Sequence, residues 1–217
     1  MNKLLCVSLL ALIFSAPSMA QDEANTSTTQ TNAQVKLETP KYSPNYCQFT
    51  ANFPDEPYKT QRCEGDTMDT CFDLISYTKV FDLSTSITVE IICNPSTPKM
   101  YEEFTPQVME KTVRAMTEDS VIEAYEIKGT QEKEYRQTGL LGRGRKGVSD
   151  TIYIAQLWIA DNSIMSVEAE LIGEQSDESD AVFAQILRGI GYTKDIEKAE
   201  IIRQTIEKQP SENQQTK

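Results

Sequence analysis

The stretch TIYIAQLWIADNSIMSVEAELI, residues 151–172, reads as two antiparallel strands joined by a tight turn at Asp161-Asn162. In 151–160 both alternating sets are apolar: Tyr153, Ala155, Leu157 and Ile159 on one side, Ile152, Ile154 and Trp158 on the other. A strand apolar on both faces is covered on both faces. The next strand, 163–172, alternates instead, with Val167, Ala169 and Leu171 facing inward and Glu168 and Glu170 outward. The pair predicts an antiparallel sheet with protein packed against it.

Working outward, residues 177–190 form a helix with Ser176 and Ser179 as cap residues. Val182, Phe183, Ile186, Leu187 and Ile190 make its buried stripe, and Gly191 its stop. Residues 196–208 make a weakly amphipathic third helix, and 209–217 a polar, disordered tail. Upstream, strands are expected at 121–128 and 135–141. A helix before them runs to about residue 118, beginning at Thr97-Pro98 with a kink at Pro106, or afresh at Thr105-Pro106. Its stripe of Phe104, Val108, Met109, Thr112, Val113 and Met116 is core packing rather than a ligand box. Two hairpins come first: 47–51 with 58–63 about Asp55, and 72–81 with 86–92 about Asp82. The fold class is α+β, an antiparallel sheet packed between helices as an α/β/α sandwich.

Four cysteines follow the first twenty residues: Cys47, Cys63, Cys71 and Cys93. Without a CxxC pair or any histidine they predict two disulfides and no metal site. Cys47 and Cys63 are each eight residues from Asp55, and Cys71 and Cys93 are each eleven from Asp82. Hairpin geometry therefore favours Cys47–Cys63 with Cys71–Cys93. The rival pairing, Cys63–Cys71 with Cys47–Cys93, stays open.

Residues 1–20 have the form of a cleaved secretory signal: Lys3, a short apolar run over 4–14, then Ser18, Met19 and Ala20. That run is shorter than the about 20 residues a span requires, and no other stretch is more apolar, so no transmembrane anchor is expected after cleavage. Residues 21–45 are expected to be a disordered linker, 46–192 a single disulfide-bonded domain, and 193–217 a short helix and tail. Losing Lys3 with the signal takes the formal charge from −12 to −13, which repels nucleic acid. The expected compartment is the bacterial periplasm, with the extracellular medium as the alternative.

The segment Phe53-Pro54-Asp55-Glu56-Pro57, the helix before a strand pair, the glycine-marked strand (Gly139, Leu140, Leu141, Gly142) and the last helix with Phe183 to Ile190 carry a resemblance. Over residues 46–192 this order resembles the PsbP-like and DcrB-like families of exported proteins. The resemblance implies their antiparallel sheet between helices and an accessory, assembly or binding role. It assigns no residue a function.

Gly142-Arg143-Gly144-Arg145-Lys146-Gly147 matches GxGxxG, but a strand follows it where a dinucleotide site needs a helix. No cofactor is expected. The segment is read as a loop, and with Arg136 it offers a basic patch: Arg136, Arg143, Arg145 and Lys146 are the candidate contacts for an anion or a partner. The alternative is a solvated loop whose charges offset nearby carboxylates. With no histidine, Ser–His and Cys–His catalysis is excluded. Acid pairs such as Glu102-Glu103 or Glu168 with Glu170 leave a carboxylate-dependent hydrolase as one alternative. A carrier of a small hydrophobic ligand, with Trp158 and Tyr153 lining its pocket, is another. The leading expectation is a monomeric, non-catalytic protein that binds a protein or envelope component through the Arg143–Lys146 segment, aided by Ile202 and Ile206 on the last helix. Reversing Arg143 and Arg145 to glutamate would then weaken binding.

Overall fold

The computed structural model describes residues 39–63 and 71–207. The expected signal peptide, the linker up to residue 38 and the tail from 208 lie outside the described residues. Lys41–Tyr42 (β1), placed in the linker by sequence, pairs with Phe49–Asn52 (β2), and Tyr42 is only 3% exposed. Ile190–Tyr192 (β10) pairs with the other side of β2, completing a small sheet of order β1-β2-β10.

The large sheet has seven antiparallel strands. They are Tyr58–Cys63 (β3), Cys71–Val80 (β4), Ser86–Pro95 (β5), Val121–Gln131 (β6), Tyr135–Lys146 (β7), Ser149–Ala160 (β8) and Ser163–Ile172 (β9). Their order is β3-β4-β5-β9-β8-β7-β6. The β8–β9 pair is as expected, turning at Asp161-Asn162 after Ile159 meets Ile164. The first hairpin is not: β2 leaves for the small sheet, and β3 forms an edge of the large one.

That rearrangement corrects the disulfides. Cys47 bonds Cys93 and Cys63 bonds Cys71, the rival pairing. Cys63 and Cys71 are register partners across β3–β4. The β4–β5 hairpin pairs Val80 with Ser86 and Leu74 with Ile92, so its centre is Leu83 and not Asp82. That one-residue shift takes Cys71 out of opposition with Cys93. Cys93 is left pointing into the core beside Cys47, both almost fully buried.

Two helices replace the single expected one, Pro98–Glu103 (α1) and Pro106–Met116 (α2). Thr97 and Thr105 each cap one, accepting from Met100 N–H and Val108 N–H, and each is followed by a proline that has no N–H to satisfy. Asp177–Arg188 (α3) opens on a Ser176–Ser179 capping box and ends at Gly189, earlier than Gly191. Ile190 and Gly191 are taken by strand β10, and Thr193–Glu207 (α4) follows directly. Bonding to β2 overrides the helical pattern there.

Met109 and Val113 of α2 pack with Leu140, Tyr153, Ala155, Leu157 and Ile159. Phe183 and Ile186 of α3 pack instead with Ile87, Val89, Ile91, Val167, Ala169 and Leu171, together with Phe49 and Tyr192 of the small sheet. Register places these two apolar sets on opposite faces, because Ala155 aligns with Glu168 while Ile154 aligns with Ala169.

Residues 142–147 are not the expected loop. Strand β7 continues to Lys146 and turns through Gly147-Val148, where Gly147 takes φ 63°, a conformation that favours glycine. Gly144 serves close approach: an added Cβ would collide with Ser120 O and lie 2.8 Å from Thr151 Oγ1. Gly144→Val is expected to cost about 1–3 kcal/mol through overpacking. A urea-unfolding midpoint unchanged from wild type would contradict that contact.

Candidate functional site

The four basic candidates do not form one patch. Along β7, side chains alternate, so Arg143 and Arg145 face one side of the sheet while Arg136 and Lys146 face the other. Arg136 and Lys146 lie at opposite ends of that strand, about 30 Å apart at strand rise. Each of the last three meets a carboxylate: Arg143 with Glu123 at 3.5 Å, Arg145 with Asp150 at 3.4 Å, Lys146 with Glu170 at 2.8 Å. The first two pairs are exposed, where such contacts contribute little.

Arg136 has a structural task. Its Nη1 donates to Tyr101 O and, at 3.0 Å, to Phe104 O, and its guanidinium lies 4.2 Å from the Tyr101 ring centre. It thus supplies donors to carbonyls at the C-terminal end of α1, where the helix leaves them unpaired. Below it, α2 and strands β6 and β7 enclose a cleft of about 290 Å³.

A second concave region lies on the sheet itself. Thr78, Thr88, Glu170 and Tyr153 are successive cross-strand neighbours, as are Tyr58, Ser76, Glu90 and Glu168 in the next row. Together with Lys146 these side chains, Tyr58 excepted, shape a shallow depression of about 190 Å³. Glu90 and Glu168 are directly opposite, a like-charge arrangement that destabilises a sheet. Two groups hold the neighbouring carboxylates: the Tyr153 hydroxyl donates to Glu168, and Lys146 Nζ to Glu170. Burial, reinforced by the bond to Glu168, pushes the Tyr153 hydroxyl well above the ordinary tyrosine range, so it remains a donor. Glu168 and Glu170 are therefore half-buried and fixed, not freely solvated as the alternation suggested. Thr88 and Glu90 were not singled out by sequence, although the same alternation along β5 turns them outward.

On this face α1 and α2 pack over β6, β7 and β8. The side chains of β3 are exposed, and Phe72, Leu74, Thr88 and Ile92 are only half-buried. The sheet is thus open across β3, β4 and β5 among the described residues. The opposite face of this half of the sheet is filled by α3 and the small sheet.

The lining expected for a hydrophobic carrier does not come together. Tyr153 belongs to the cluster under α2, while Trp158 lies on the other face against Phe49 and Tyr135, each ring centre 5.8 Å away. Residues of opposite parity on one strand cannot line one pocket. Ile202 and Ile206 are exposed on α4, at 51% and 66%. No helix of the described residues is long and apolar enough to cross a membrane, and no metal-holding group of acidic or cysteine side chains occurs among them. The two disulfides are consistent with a protein that folds outside a reducing compartment.

No protein-family model matches the chain, and no curated protein does. The chain resembles PsbP in architecture: the solution structure of cyanobacterial PsbP (CyanoP) from Synechocystis sp. PCC 6803 aligns with 73% of this chain and 95% of that chain, at 11% identity and a TM-score of 0.42.

Proposed function

We propose that the protein is an exported, non-catalytic accessory protein of the bacterial periplasm that docks on a protein of the cell envelope. The observation that carries this reading is the open, carboxylate-bearing face of β3, β4, β5 and β9. It is about 15 Å wide at ordinary strand spacing, and its centre is a pair of directly opposed glutamates, Glu90 and Glu168. Half-buried Phe72, Leu74 and Ile92 give it an apolar flank. Such a surface suits a partner presenting lysines or arginines, whose charges would relieve the Glu90–Glu168 conflict. The proposed contact is the acidic face that Lys146 borders, and not Arg143 and Arg145, each already paired. In this view the sheet is the middle layer of an α/β/α sandwich whose helical cover on one side is incomplete, which leaves room for the partner. The signal-like first twenty residues and the two disulfides support export.

The test is in-cell photo-crosslinking. A photoreactive residue replacing Thr78, exposed on the open face, is expected to yield one discrete protein adduct. One replacing Lys128, exposed on the opposite face, yields none. Glu90→Arg should lower the adduct about tenfold while leaving folding stability unchanged or slightly raised, because it removes a like-charge pair. An adduct equally strong from both positions, or indifferent to Glu90→Arg, would overturn the assignment of this face. The double change Arg143→Glu with Arg145→Glu serves as the control that leaves the adduct intact.

A further inference from the structure

The two disulfides differ in what surrounds them. Cys47 and Cys93 are 7% and 1% exposed and lie within the main core. Cys63 is exposed and Cys71 half-buried, directly opposite each other at the last rung of the β3–β4 ladder. A sulfur in that position is open to a thiolate from solution, whereas the buried pair is reached only when the core opens.

The strand that the exposed bridge secures has little else to hold it. All six side chains of β3 are exposed, so it buries no apolar group of its own. It is an edge strand, bonded to β4 alone among the described residues. Lys59, 5.6 Å from the Tyr42 ring centre, adds a surface contact worth little. Phe53, buried just before the strand, anchors one end, and the Cys63–Cys71 bridge anchors the other. Without that second anchor, backbone hydrogen bonds alone must offset the ordering entropy of the strand, and each contributes only modestly in net terms.

We infer that Cys63–Cys71 is a thiol-exchange site, opened by a dithiol reductant, that controls how firmly β3 holds to the sheet. A thiolate of the dithiol attacks Cys63 Sγ, the exposed sulfur. The S–S bond breaks, and Cys71 leaves as a thiolate and takes up a proton. The second thiol of the reductant, losing its proton, then attacks the reductant's own sulfur in the mixed disulfide and releases Cys63 as a second thiol. Two electrons pass to the protein, the dithiol becomes a disulfide, and Cys47–Cys93 stays closed. β3 is the outer edge of the docking face proposed above, but neither the exchange nor the loosening of β3 requires a partner.

Alkylation mass spectrometry of the oxidised full chain tests the inference, with dithiothreitol as the dithiol and any free thiol blocked beforehand. Under native conditions Cys63 and Cys71 are expected to become labelled together, at least about tenfold faster than Cys47 and Cys93. In the protein with only that bridge reduced, the amides of Tyr58–Cys63 that bond β4 should exchange hydrogen at least about tenfold faster, while those of β5 and β9 are unchanged. The double change Cys63→Ser with Cys71→Ser should reproduce that exchange pattern without reductant, which separates loss of this bridge from any action of dithiothreitol elsewhere. Equal rates for the two bridges, or earlier opening of Cys47–Cys93, would overturn the assignment of the exchange site. Selective reduction that leaves β3 exchanging at its oxidised rate would overturn its control of the strand.

Discussion

Replacing Cys47 and Cys93 together by alanine is expected to destabilise the folded domain by about 4 kcal/mol, the chain-entropy value for a closed loop of this length. The bridge spans 46 residues and ties the chain just before β2 to the end of strand β5, joining the small sheet to the large one. Removing Cys63 and Cys71 should cost about 2.5 kcal/mol by the same relation, because that bridge closes only 8 residues between neighbouring strands. Urea unfolding of the two double variants measures the difference. The reverse ranking would mean that the edge hairpin, and not the joint between sheets, is what the cross-links secure.

Phe49→Ala is expected to cost about 3–5 kcal/mol, the range for truncating a buried phenylalanine. Phe49 is fully buried at the centre of an aromatic group, with ring centres of Tyr135 at 6.5 Å, Trp158 at 5.8 Å and Tyr192 at 6.0 Å. Each comes from a different element, so the cavity would loosen β2 and β10 from β7 and β8 together. Amide exchange should accelerate first in β10, where only a single neighbouring strand holds the backbone. By contrast Val80→Ala, exposed at the end of β4, should stay within about 0.5 kcal/mol of wild type. A Phe49→Ala variant as stable as that would show that the small sheet is not anchored by this contact.

What could be read from sequence was local. The alternation of 151–172, the Thr-Pro caps of α1 and α2 and the stripe of α3 are all set by neighbours a few residues away, and the structure carries each of them. The small sheet was not legible, because β10 pairs with a strand about 140 residues earlier in the chain and its three residues continue the helical stripe of α3. The disulfide pairing failed for a related reason. Symmetry about Asp55 presupposed a hairpin that long-range pairing dissolves, and a centre placed at Asp82 instead of Leu83 misaligned the other pair. Among the site residues, Glu168 and Glu170 were visible as outward-facing acids. Their fixation by Tyr153 and Lys146 requires the β7–β8–β9 register, which composition does not contain. Arg136 could be named as a cation from sequence, but its clamp on α1 depends on a contact 32 to 35 residues away.

Native mass spectrometry of the protein purified gently from its native source tests the proposed docking partner of the acidic face most directly. At low salt the chain should appear bound to one further polypeptide. The complex should dissociate at about 0.5 M salt, where exposed charges are screened beyond a few ångströms. A bare chain at every salt concentration, or one carrying only a small molecule, would contradict the accessory role.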